Sequence, residues 1–162
     1  MASVHDVAAY ILQQHVGPIS TWKLQKLVYY AQAWHLVWDD EPLFNEAIEA
    51  WANGPVVWEL FDTHRGMFSV ASWPQGDAGA LTMSEKETVD SVLNGYGDLT
   101  GRQLSHLTHN EDPWMEAREG LGLTTRSNRP ISLATMQAFY GALDVDDDAQ
   151  AVEDIDWQEL GA

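Results

Sequence analysis

Residues 22–38 read Trp-Lys-Leu-Gln-Lys-Leu-Val-Tyr-Tyr-Ala-Gln-Ala-Trp-His-Leu-Val-Trp, and no other segment restricts the fold so tightly. At about 100° per residue, Leu24, Leu27, Val28, Ala31, Trp34 and Trp38 share one face of a helix, while Trp22, Tyr29, Ala33, Leu36 and Val37 cover the opposite one. A helix apolar on both sides is either the central helix of a domain or has its second face against a partner. The first reading is favoured for most of its length. Lys23, Gln25 and Lys26 then mark where the helix reaches the surface.

Punctuation residues place further helices around this one. Ser3 with Asp6 opens a helix over 4–14 that Gly17-Pro18 stops. The central helix begins after Ser20 or Thr21. Asn53-Gly54-Pro55 reads as a turn feeding a third helix, with Pro55 in its first position and its end at Arg65-Gly66. Residues 67–81 read as a loop. Ser84 with Glu87 caps a fourth helix to about Gly95, Thr100 with Gln103 starts a fifth, and Asp112-Pro113 starts a sixth through Glu119. A last helix follows Ser132, where Ile131 can staple to Met136. Ala47–Trp51 alternates as a short strand does, with Arg129-Pro130-Ile131 available as its partner.

The fold class expected is therefore mainly α: a single compact multi-helix domain around the helix at 21–38, with at most a small hairpin or two-stranded sheet. A length of 162 residues suits one domain. Its boundary falls near Leu143, giving a domain over 1–143 and a tail over 144–162. The tail holds Asp144, Asp146, Asp147, Asp148, Glu153, Asp154, Asp156 and Glu159 with no Lys or Arg. Such a composition predicts a solvated, disordered segment, although Val152, Ile155, Trp157 and Leu160 give it an apolar side.

A net charge of −17 argues against nucleic acid as a partner, because counterion release cannot drive binding between like charges. A basic protein, by contrast, would be steered toward this surface. The absence of cysteine excludes disulfides, thiol catalysis and cysteine-ligated zinc. No apolar run suggests a membrane span, and Met1–Asp6 begins no secretory signal, so the cytoplasm is the compartment expected.

Chemistry-bearing motifs are sparse. His106-Leu-Thr-His109-Asn-Glu111-Asp112 offers two histidines and two carboxylates, but no third ligand stands at a fixed spacing. One histidine is expected to close the preceding helix or to bond the backbone near Pro113. We expect no catalytic residue, metal or cofactor. Eight tryptophans are many for one core, and Trp51, Trp58 and Trp73 sit beside a turn or in a loop, so one or two should meet a partner.

Three stretches together resemble the Panacea (SocA-like) domain: Lys23–Trp34, then Glu49-Ala-Trp-Ala-Asn-Gly-Pro-Val-Val57, then Leu104–His109 with Pro113-Trp114 and Ala117-Arg118. The resemblance spans about 4–143. Trp58 departs from it, since the family often continues Gly-Pro-Val-Val with a further proline. The resemblance implies a mostly helical antitoxin of a type II toxin–antitoxin pair, of a kind met in phage defence, that neutralises a toxin encoded by the adjacent gene through direct binding. The alternative it implies is an adaptor that delivers the toxin to an ATP-dependent protease. Many such toxins grip RNA or nucleotides through basic surfaces, which an acidic protein complements. Homodimerisation of the free protein is left open. The toxin-binding candidates are Trp51, Asn53, Gly54, Val56, Val57, Trp58, Lys23, Lys26 and Tyr29. The remaining motif residues, Leu24, Leu27, Tyr30, Gln32, Trp34, Pro55, His109, Pro113, Trp114 and Arg118, are expected to be structural.

Overall fold

A computed structural model describes residues 1–145 of the chain. Helix α1 (Val4–Gln14) opens with a reciprocal capping box, Ser3 Oγ accepting from the Asp6 amide at 3.2 Å and Asp6 accepting from the Ser3 amide at 3.0 Å. Helix α2 (Thr21–Asp39) is capped by Ser20, which accepts from the Lys23 amide, and ends at Asp40 in the left-handed region. The cap of the fourth helix falls two residues before the expected Ser84. Two overlapping boxes compete there, and Thr82 with Glu85 is the one formed, so that α4 spans Met83–Tyr96 and buries Glu85, Thr88, Val89 and Val92. Helix α5 (Gly101–His109) starts at the expected Thr100–Gln103 box. Helix α6 (Asp112–Ala117) stops short of Glu119, because Arg118 turns inward and is buried. Helix α7 (Leu133–Val145) runs two residues past Leu143 into the acidic segment. The disorder expected of 146–162 lies outside the described residues.

Both apolar faces of α2 are satisfied within the domain. The helix packs against α7, α4, α5 and α1, and Leu24, Leu27, Val28, Tyr29, Ala31 and Ala33 are fully buried. Trp38 is the exception at 44% exposure. The expectation that Gln25 and Lys26 mark a surface is overturned, since neither has any accessible area. Their partners come from a hairpin that the local signals misassigned.

That hairpin pairs β2 (Ile48–Trp51) with β3 (Gly54–Val57) in antiparallel register, Glu49 opposite Val56 and Ala50 opposite Pro55. Pro55 is therefore a strand residue rather than the first residue of a helix. Proline is tolerated in a strand where its missing N–H would face away from the paired neighbour. Opposite it, the Ala50 N–H donates outward to Arg129 O at 2.8 Å. Ile131 N–H donates to Ile48 O at 2.7 Å, so the expected contact between these segments exists as a short extension on the outer edge of β2. Helix α3 (Trp58–His64) starts after Val57 without a side-chain cap. Within the expected loop, β4 (Ser69–Val70) pairs with β1 (Ile19–Ser20).

Candidate functional site

In this hairpin the outward groups of β3 face α2 instead of a third strand. Gln25 replaces the missing strand: its Oε1 accepts from the Val57 N–H at 2.9 Å and its Nε2 donates to the Val57 carbonyl at 3.2 Å. The same Nε2 lies 3.0 Å from His64 Nε2, which must then be the acceptor and carry no proton. Burial lowers the His64 pKa, in keeping with a neutral ring. The next residue serves the same strand, for Lys26 Nζ donates to the Pro55 carbonyl at 3.0 Å and stands 4.4 Å from the centre of the Trp22 ring. Burial without a carboxylate partner pushes the Lys26 pKa down to about 7. Gln32, seven residues after Gln25, repeats the device on a loop, accepting from Leu43 N–H and donating to Phe44 O.

The far side of the hairpin is held by α5 and α6. Ser105 donates to Asn53 O at 2.5 Å, and Trp114 Nε1 donates to Trp51 O at 2.8 Å. Gly54 has φ 119°, and a Cβ there would stand 2.7 Å from Lys26 Cε and 3.2 Å from Thr108 Oγ1. Glycine is required for both conformation and space. Arg118, buried at 4% exposure, donates to the carbonyls of Ala50, Gly122 and Thr125 and so fastens β2 to the segment after α6.

A rigid support of this kind presents Trp51, Ala52 and Asn53 as one wall of a groove of ≈ 940 Å³. Trp58 and Phe61 of α3, with Arg65 at its end, continue this aromatic wall, and Glu49 with Arg126, Ser127 and Asn128 completes the lining. The rings are locked together: Trp51 and Phe61 meet edge to face with centroids 4.9 Å apart, and Trp58 lies 5.6 Å from Phe61. The Arg65 guanidinium is 5.1 Å from the Trp58 ring and 3.2 Å from Asp62. Trp51 Nε1 donates to Glu49 at 2.8 Å. Trp58 keeps 40% of its surface exposed.

Of the toxin-binding candidates, Trp51, Asn53 and Trp58 converge on this groove. Gly54, Lys26, Tyr29, Val56 and Val57 are buried beneath or beside the hairpin and present nothing to a partner. Lys23 lies elsewhere, donating to Gly97 O at 2.6 Å. Phe61 and Arg65 escaped the sequence reading although they stand three and seven residues after Trp58, the spacing of one helix face. Arg126–Asn128 carried no local signal.

The remaining motif residues are interior ones. Leu24 and Leu27 are buried, as are Pro113 and Trp114, and partly buried Trp34 donates to Tyr96 at 3.0 Å. Tyr30 and Tyr140 both donate to Glu111 Oε1, at 2.6 and 2.8 Å, and desolvation raises the Glu111 pKa to about 7. His109 stacks on Trp114 at 4.2 Å, and burial, then the nearby Lys26, lowers its pKa. His106 contacts Asn110, the residue closing α5. Among the described residues no group of three or more histidines and carboxylates is placed to hold a metal.

Comparison with known proteins identifies a family. A family model described as "Antitoxin SocA-like, Panacea domain" matches residues 24–115, from the start of α2 into α6, and includes the hairpin and the Trp58 wall of the groove. Neither the curated proteins nor the solved structures give a match. No helix among the described residues is long and apolar enough to cross a membrane. The match covers more than half of the chain, and the chain belongs to the SocA-like, Panacea-domain antitoxin family.

Proposed function

We propose that the protein is the antitoxin of a type II pair, acting in the cytoplasm, and that residues 1–143 neutralise a toxin by binding it through the groove between the hairpin tip and α3. The observation that carries this reading is the preorganised aromatic wall. Trp51, Trp58 and Phe61 are fixed by one another and by a hairpin clamped on both sides, so little conformational entropy is lost when a partner covers them. An exposed but immobile tryptophan at the rim of a groove is the usual form of an interface anchor. The net charge of −17 acts outside the groove, steering a toxin with a basic RNA- or nucleotide-binding surface toward the site.

The test is to co-express the protein with the product of the adjacent gene, in hosts with and without their ATP-dependent proteases. Direct neutralisation gives growth in both hosts and a stoichiometric complex containing intact toxin. Growth only where a protease is present, with the toxin consumed, would replace this reading by the adaptor one. Neutralisation below one-to-one stoichiometry with intact toxin would instead point to catalysis.

A further inference from the structure

The groove is unusual in this protein for its charge. Of eight basic residues in the chain, Arg65 and Arg126 line it, and Glu49 is the one acidic residue among its lining. Arg126 is exposed and has no ion-pair partner among the described residues. An aromatic wall beside the unpaired Arg126 guanidinium, with Arg65 shared with Asp62, suits a segment that alternates apolar and acidic side chains.

The chain contains such a segment. Residues 152–160 read Val-Glu-Asp-Ile-Asp-Trp-Gln-Glu-Leu, with no basic residue from 144 onward. Val152, Ile155, Trp157 and Leu160 match the apolar walls, and Glu153, Asp154, Asp156 and Glu159 match the arginines. Reach is sufficient. Helix α7 begins five residues after Asn128 of the groove and its 13 residues carry the chain about 20 Å away. The 12 residues from Val145 to Trp157 span up to about 40 Å when extended.

We propose that residues 146–162 seat in the groove of the free protein, with Trp157 against Trp51 and Trp58 and the carboxylates on Arg126 and Arg65, and that the toxin displaces them. The displacement step rests on the groove being the toxin site, whereas the seating does not. Tethering gives the segment an effective concentration on the order of millimolar, so an intrinsically weak contact suffices to occupy the groove. A toxin must out-compete it, which makes the tail a threshold against loose, non-cognate partners.

The absence of cysteine makes the test direct, since Gln158→Cys in the full chain gives a single attachment point for a nitroxide spin label. The indole N–H signals of Trp51 and Trp58 should broaden in the labelled free protein. Adding Arg126→Glu should restore them, and adding Arg102→Glu, a reversal of an exposed cation on α5, should not. Absence of broadening overturns the proposal. Equal relief by both reversals overturns it too, as would broadening seen only when labelled chains are mixed with unlabelled, isotope-enriched ones, which places the contact between two copies. Trp157→Ala in the full chain should tighten toxin binding at least threefold. Broadening with unchanged toxin affinity would refute displacement and place the fault in the toxin's use of the groove, not in the seating of the tail.

Discussion

Replacing Gln25 by methionine isolates the hydrogen bonds that hold β3 to α2. Methionine keeps nearly the same volume, so the core gains no large cavity, but the Val57 N–H, the Val57 carbonyl and His64 Nε2 all lose their partner. A buried polar group left unsatisfied costs about 1–3 kcal/mol. Two backbone groups and an imidazole nitrogen, less the benefit of burying a thioether, give a net loss of about 3 kcal/mol. Against a typical stability of about 5–15 kcal/mol, that is large but survivable. Urea denaturation followed by circular dichroism measures the loss, and amide hydrogen exchange at Val57 locates it. Gln25→Ala should cost more, because a cavity adds to the same orphaned groups. A loss below about 1 kcal/mol for Gln25→Met, with Val57 still protected from exchange, would refute the idea that a side-chain amide stands in for a strand.

Other consequences separate the parts of the site. Gly54→Ala should destabilise the protein by about 2 kcal/mol or more through strain at φ 119° and the clash with Lys26, read as a fall in urea midpoint. Lys26 has its folded pKa lowered to about 7, so between there and its ordinary value the unfolded state binds more protons and stability rises with pH. Wild type should therefore gain up to about 4 kcal/mol relative to Lys26→Met from pH 7 to 10, and parallel stability curves would contradict this. Glu111 has the opposite sign: its folded pKa is raised to about 7, the folded state binds more protons above pH 4.5, and stability falls as pH rises to 7. Glu111→Gln should remove a decline of at most about 3 kcal/mol over that range, measured as the difference between the two pH–stability curves.

The central helix was legible because its constraint is local: two apolar faces on one helix can be satisfied only by neighbours on both sides. The capping boxes at Ser3 and Thr100 were legible for the same reason. Thr82 was missed because two overlapping boxes stand two residues apart, and the one formed is Thr82 with Glu85. Pro55 was misread because Asn-Gly-Pro satisfies the rules for a helix start, whereas its actual state depends on Lys26, 29 residues away, taking its carbonyl. Burial of Gln25 and Lys26 is equally non-local. For the groove, the sequence grouped Trp51, Asn53 and Trp58 around one turn, and all three line it, yet it hid Arg126–Asn128, which arrive through the long connection before α7.

The central claim is that a fixed aromatic wall at the hairpin tip binds the toxin, and Trp58 is the residue on which it turns. Trp58 is 40% exposed and lies on the outer face of α3, so Trp58→Ala should leave the melting temperature of the free protein within a few degrees of wild type. Truncating an interface anchor costs about 2 kcal/mol or more, near thirtyfold in affinity. Calorimetric titration of the purified toxin into wild-type and Trp58→Ala protein, beside thermal melts of both, reads the two quantities together. The account predicts at least that thirtyfold loss of affinity with the fold intact. Unchanged affinity, or a loss matched by an equal loss of folding stability, would contradict it.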